Sequence, residues 1–157
     1  MKKGPFDHNT IWLVLFELLG ETWGIRFSDI QEVLSTKKIT PVPKAPFFVV
    51  GLTHKRGKII TVIDLDLLAG ESPRESKETR IIHLKNSEMD IGLLIKSKVS
   101  SELIPDELET SEPLVKEFCG GSKIILRKSI IQKGAGTINV LETDELIKAL
   151  EQYSLNQ

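Results

Sequence analysis

Apolar residues in this chain fall in short, dense runs separated by turn-forming residues, a spacing that predicts strands more often than helices. Ile11 to Phe16 is such a run, and Leu19-Gly20-Glu21-Thr22 turns it back into a second, Trp23 to Phe27, predicting a hairpin. Ser28 with Gln31 three residues on has capping-box spacing, which predicts a turn of helix from Ser28 to about Ile30, then extended chain from Glu32 to Ile39. Pro41, Pro43 and Pro46 exclude regular helix from the segment that follows. Phe47 to Leu52 and Lys58 to Ile63 flank the polar turn His54-Lys55-Arg56-Gly57 and predict another hairpin, with Asp64 to Leu68 a short helical turn. Near the end, Thr143 as N-cap followed by Asp144 and Glu145 predicts a helix to about Tyr153, with Leu146, Ile147 and Leu150 on one face.

The same pattern occurs twice. Gly70 to Glu78 is charged, polar and carries a proline, so it predicts a solvated linker. Shifting the chain by 68 positions lays Leu13, Val14 and Phe16 over Ile81, Ile82 and Leu84, and Trp23-Gly24-Ile25 over Ile91-Gly92-Leu93. A shift of 78 later lays Ile60, Val62, Ile63, Asp64, Asp66 and Leu68 over Ile138, Val140, Leu141, Glu142, Asp144 and Leu146, so the second copy is ten residues longer. Order and spacing favour two copies of one small barrel packed together: a mainly β fold with a first subdomain over about 11–70, a second over about 79–142, and a terminal helix over about 143–153. Joining two thin barrels buries a shared apolar face that neither could bury alone.

Charge and composition narrow the function. With 21 Lys and Arg against 22 Asp and Glu among 157 residues, there is no bulk attraction toward nucleic acid or anionic lipid. The run from Ile11 to Phe16 is far shorter than the ~20 residues needed to span a bilayer, and the polar start lacks a secretory core, so a cytoplasmic location is expected. Cys119 stands alone, which excludes an internal disulfide and any multi-cysteine zinc site. His8, His54 and His83 show no metal-binding spacing, and no local motif ties Cys119 to a histidine base. Asp64 and Asp66 follow an apolar strand and are echoed by Glu142 and Asp144, which suggests helix-start chemistry. Gly134-Ala135-Gly136 predicts a hairpin turn, lacking the helix start a phosphate loop needs. No catalytic residue, metal or cofactor is therefore expected. The alternative from another class is a small barrel binding single-stranded nucleic acid, since Lys37-Lys38, Lys55-Arg56-Gly57-Lys58 and Lys123 to Lys133 carry local positive charge. Against it, the aromatic residues sit mostly in apolar runs, away from these cations, whereas such binders need exposed stacking platforms.

The order Gly24-Ile25, Ile30-Gln31-Glu32-Val33-Leu34, Ile39-Thr40-Pro41-Val42-Pro43, Ala45-Pro46-Phe47, Val50-Gly51, Arg56-Gly57 and Ile60-Thr61-Val62-Ile63-Asp64-Leu65 closely resembles the CheW family of bacterial chemotaxis coupling proteins. The resemblance covers Trp12 to Leu68 and extends more loosely, through Ile91 to Ile95 and Ile138 to Leu146, to about Leu150. It implies two SH3-like five-stranded barrels sharing a core. It also implies a non-enzymatic adaptor, recruited to receptor arrays at the inner membrane. Its partners would be the regulatory domain of a CheA-type histidine autokinase and the cytoplasmic hairpin tip of chemoreceptors, with no nucleic acid and no direct membrane insertion.

Onto the matching positions the resemblance places receptor binding at Ile30, Glu32, Val33, Arg56 and Gly57, and kinase binding at Pro43, Pro46 and Phe47. Glu32 and Arg56 are expected to lie close together; a purely structural ion pair is the plainer reading. Ile30 and Val33 would supply apolar contacts or else be ordinary core. For Pro43, Pro46 and Phe47 the plainer reading is a rigid turn with a buried aromatic. The chain departs from the family pattern at His54 and Lys55, at Lys96 where aspartate is common, and in the long basic stretch Glu117 to Thr137.

Overall fold

Eleven strands, most of them built on the short apolar runs, form among the residues that the computed structural model describes, namely 10–35, 38–85, 88–105, 109–112, 128–134 and 136–155. His8, Cys119 and Ala135, with most of the basic stretch after Glu117, lie outside the described residues. The strands are β1 Thr10–Leu18, β2 Glu21–Arg26, β3 Ile30–Ser35, β4 Val49–Lys55, β5 Lys58–Asp64, β6 Arg80–Leu84, β7 Ile91–Ile95, β8 Ser100–Pro105, β9 Glu109–Glu112, β10 Lys128–Lys133 and β11 Gly136–Leu141. Two helices follow strands: α1, Leu65–Leu68, and α2, Thr143–Leu155.

Both predicted hairpins in the first copy turn on two residues. Leu19-Gly20 (φ 57° and 72°) joins β1 to β2, and Arg56-Gly57 (φ 52° and 78°) joins β4 to β5; positive φ at both positions is what a type I′ turn demands. The capping box at Ser28 does not form. Phe27–Asp29 is a single 3₁₀ turn without a side-chain cap, and Ile30 (φ −107°, ψ 127°) already lies in β3 with Gln31. Pairing of β3 with β6 outcompetes the local cap, because a ladder satisfies several backbone groups and a cap only one or two.

The strands assemble into a six-stranded sheet, in the order β8-β1-β2-β11-β10-β9, and a five-stranded sheet, β3-β6-β7-β5-β4. Each sheet draws from both copies. The first hairpin of each copy, β1-β2 or β6-β7, is built into the sheet that holds the later strands of the other. The 68-residue shift survives this exchange residue for residue. Leu13 pairs with Arg26 as Ile81 pairs with Leu94, and Val14 pairs with Ile25 as Ile82 pairs with Leu93. The exchanged hairpins attach through parallel ladders that also correspond: Thr61 lies opposite Ile91, as Asn139 lies opposite Trp23.

Three apolar clusters follow. Leu13, Ile104, Ile131, Ile138 and Val140 pack within the six-stranded sheet, and Leu34, Ile60, Val62, Ile81 and Leu94 within the five-stranded one. The largest cluster lies between the sheets, around Trp23, Ile25, Leu65, Ile82 and Leu93, and receives Leu146, Ile147 and Leu150 of α2 on the face predicted. In the five-stranded sheet the edge strands approach one another. Thr40, beyond the end of β3, exchanges two backbone hydrogen bonds with Leu52 of β4 (2.7 and 2.8 Å), and Thr53 Oγ1 donates to the Lys38 carbonyl at 2.8 Å.

The linker is fixed at particular points instead of being freely solvated. Glu71 accepts a hydrogen bond from the Leu19 amide (2.8 Å), while Arg74 pairs with Asp66 (2.8 Å) and donates to the Lys96 carbonyl (3.0 Å). Asp64 caps α1 by accepting from the Leu67 amide at 3.2 Å, the helix-start role expected for it. No helix among the described residues is long and apolar enough to cross a membrane.

Candidate docking site

Glu32 and Arg56 come together, as expected, across the gap between the two edges of the five-stranded sheet. A bulge between Ile30 and Glu32 shifts the register of β3, and the type I′ turn carries Arg56 over from the β4-β5 hairpin. Arg56 Nη2 stands 3.7 Å from Glu32 Oε1, with the arginine side chain 77% exposed and the glutamate 28%. That is one long contact and not a two-pronged bond, so the guanidinium keeps most of its donors free for a partner. Gly57 is exposed beside it, and a side chain built there would meet nothing within 4 Å.

The two apolar candidates separate. Val33, opposite Ile82 in the ladder, is 39% exposed and follows Glu32 on the edge strand β3. Ile30 is only 6% exposed and belongs to the central core, so its side chain offers no surface to a partner. The bulge breaks the simple alternation that would have put Ile30 and Glu32 on one face and sets Ile30 on the face of Val33 instead, opposite Leu84 and Ile82, so burial and not alternation divides the two.

The proline loop forms a second surface. Pro43 occupies the first central position of a turn closed by the Ala45 amide to the Val42 carbonyl (3.4 Å), and Lys44 takes the left-handed second position (φ 61°), the geometry of a type II turn. Pro43 is exposed and Pro46 half-buried. The buried aromatic of this loop is Phe48, whose ring lies edge-on to Phe47 and Tyr153 at 5.3 Å from each; Phe47 itself is 42% exposed. Pro43 and Pro46 line a groove of about 380 Å³ whose other walls include Phe48, Met89, Leu150 and Tyr153. The left-handed lysine and the choice of Phe48 over Phe47 were not legible in sequence, since adjacent phenylalanines in an irregular loop carry no periodicity.

Charge partners lie around both parallel seams. Lys96, just past β7, contacts Asp64 Oδ2 at the end of β5 through Nζ at 2.7 Å, and Arg26 Nη2 at the end of β2 contacts Oε1 of Glu142, just past β11, at 3.0 Å. Burial pushes the Glu142 carboxyl up, but hydrogen bonds from Arg26 and from Ser129 Oγ (2.6 Å), with the Arg26 charge, hold it below the usual range. For Asp66, burial wins over the Arg74 bond and charge and raises the carboxyl; for Asp29, burial likewise outweighs its hydrogen bond with Thr143 and the Arg26 charge. Among the described residues no three His, Cys, Asp or Glu side chains converge in a way that could hold a metal ion.

A family model described as the CheW-like domain matches residues 13–151. The chain belongs to the CheW family. Among CheW relatives, the chemotaxis protein CheW of Treponema pallidum is 25% identical over 148 residues, covering 91% of this chain and 85% of that protein. The chemotaxis protein CheW of Thermotoga maritima is 34% identical over 80 residues, about half of each chain (51% and 53%). The crystal structure of the scaffolding protein TtCheW from Thermoanaerobacter tengcongensis superposes with a TM-score of 0.70 at 30% identity, covering 84% of this chain and 88% of that one. The two sheets and closing helix are thus a CheW architecture.

Proposed function

We propose that this protein is a non-enzymatic adaptor of bacterial chemosensory signalling that couples methyl-accepting receptors to a CheA-type histidine autokinase. The observation that carries the reading is the CheW-like match over residues 13–151, nearly the whole described chain. An adaptor needs two separate faces, so that each modest interface gains from the other by raised effective concentration. Two candidate faces are present. The corner of Glu32, Val33, Arg56 and Gly57 is assigned to the receptor hairpin tip, with exposed charge for register and one apolar contact. The loop of Pro43, Pro46 and Phe47, beside the apolar groove, is assigned to the regulatory domain of the kinase.

The whole chain acts as one CheW-like domain, its sheets being the walls of two SH3-like barrels. The Thr40–Leu52 hydrogen bonds and the separate apolar cluster inside each sheet support this closure. The adaptor works in the cytoplasm, held at receptor arrays on the inner membrane by its partners.

The test is reconstitution of receptor-bearing membranes with the kinase and radiolabelled ATP. Kinase phosphorylation is expected to rise only when this protein is added, and Glu32→Ala is expected to abolish most of that rise while circular dichroism stays native. A protein that leaves kinase output unchanged at saturating concentration, or that shifts single-stranded oligonucleotides in a salt-dependent manner, overturns the reading.

A further inference from the structure

The two copies of the repeat differ sharply at one end. In the five-stranded sheet, Glu32 of β3 lies opposite His83 of β6 in the ladder, which puts both side chains on one face at neighbouring positions. The His83 ring is buried, 5% exposed, and its Nε2 lies 3.1 Å from Asp90 Oδ1. The same carboxylate oxygen is 4.0 Å from Lys58 Nζ, and the Asp90 carbonyl accepts the Thr61 amide at 2.8 Å. Lys58 directly follows the Arg56-Gly57 turn, and Arg56 returns to Glu32 at 3.7 Å. Three side-chain contacts, a ladder pair and the hairpin turn thus link five residues from four parts of the sheet in a ring around the docking corner.

The pseudo-symmetric ring in the six-stranded sheet is neutral. The 68-residue shift relates Glu32, His83 and Asp90 to Ser100, Leu15 and Thr22, and the ladder confirms the match, for Leu15 lies opposite Ser100 as His83 lies opposite Glu32. The 78-residue shift relates Arg56 and Lys58 to Gly134 and Gly136, again at equivalent turn positions, with φ of 57° at Gly134 against 52° at Arg56. The fold therefore builds this corner without charge. A buried histidine where the other copy has leucine costs desolvation, so its presence calls for a role other than folding.

We propose that His83 and Asp90 are positioning residues for receptor docking: His83 backs Glu32 from the adjacent strand, Asp90 holds His83 and draws Lys58 in, and the ring thereby fixes where Glu32 and Arg56 present themselves. The inference rests on the receptor-docking reading of Glu32 and Arg56. It further makes the five-stranded end, and not its neutral counterpart, the receptor-facing end of the molecule.

The decisive variant transplants the neutral copy, His83→Leu with Asp90→Thr, in the full-length protein. The probe is the recombinant cytoplasmic hairpin of a methyl-accepting receptor from the same organism, titrated by calorimetry. Affinity is expected to fall about tenfold, with the melting temperature unchanged or higher, and the Arg56 Nε–Hε NMR resonance is expected to move toward its position in Glu32→Ala. In the Glu32→Ala background the double replacement is expected to cost nothing further, because it acts through Glu32. His83→Gln, whose amide nitrogen can still donate to Asp90, is expected to keep affinity within twofold. Asp90→Asn, at a partly exposed side chain, reads the same link if the double variant does not fold. An affinity loss that adds in full to that of Glu32→Ala, or an unmoved Arg56 resonance, overturns the positioning role alone. Unchanged affinity in Glu32→Ala itself overturns the docking site on which it rests.

Discussion

Lys96 reaches Asp64 at 2.7 Å where the parallel pair of β5 and β7 ends, and both side chains are nearly sealed from solvent, 10% and 5% exposed. Asp64 caps α1 with its other carboxylate oxygen, and Lys96 Nζ also donates to the Arg74 carbonyl at 2.7 Å. One cation thus ties together a strand end, a helix start and the linker. At the other parallel seam Arg26 and Glu142 join a strand end to the start of α2. Breaking a buried pair by removing one partner strands a charge, so Lys96→Met is expected to destabilise the protein by about 3–5 kcal/mol in urea unfolding.

The contrast with Glu32 and Arg56 is quantitative. That pair is long and its arginine mostly in water, so Arg56→Ala is expected to change stability by less than about 1 kcal/mol. Receptor recruitment, measured by pull-down, is expected to fall all the same.

Acid sensitivity follows from Glu142. Its carboxyl is held below its ordinary value in the fold, so the stabilisation it supplies is complete above the unfolded carboxylate range and is lost as pH falls through the lowered folded value. Melting temperature followed from neutral pH downward is expected to drop less steeply in Glu142→Gln than in the parent. Asp66 is raised even with Arg74 beside it, and the sign reverses: its charge costs stability as pH rises from the unfolded to the raised folded value, so Asp66→Asn is expected to gain melting temperature relative to the parent as pH rises toward neutral.

Gly51 marks where the five-stranded sheet approaches its own edge. Its φ is 153°, and a methyl group there would collide with the Thr40 carbonyl oxygen, in the backbone that bonds to Leu52. Gly51→Ala is expected to cost about 2 kcal/mol or more and to raise amide exchange at Thr40 and Leu52, measured by NMR.

Lys44 holds a left-handed conformation (φ 61°) that glycine adopts freely. Lys44→Gly is expected to stabilise the protein by up to about 1 kcal/mol in thermal unfolding, and Lys44→Val to destabilise it, since a β-branched side chain fits that region worst. Kinase binding that falls in Lys44→Gly, with the turn intact, would assign the lysine side chain to the interface.

Strand positions, the duplication and its offsets were legible because alternation and turn residues are local: a hairpin such as Leu13 with Arg26 is set by the two residues at its tip. The nearness of Glu32 and Arg56 was legible through family likeness, and the helix-start role of Asp64 through its place after an apolar strand and its echo in Glu142. The capping box at Ser28 misled because sheet pairing, a long-range interaction, overrode a local one. The burial of Ile30 was not legible, because a bulge reset the face on which it lies.

The amino-acid sequence by itself determined which segments become strands, that they come in two equivalent sets, and which family they belong to, for these depend on neighbours a few residues apart. Only the tertiary structure decided that the first hairpin of each set joins the sheet of the other. Two copies with one apolar pattern satisfy that pattern whichever partner they choose, and the choice falls to packing of distant surfaces. The same distance in sequence hid the partner of Lys96, which meets Asp64 only once the second hairpin has joined the sheet of the first copy.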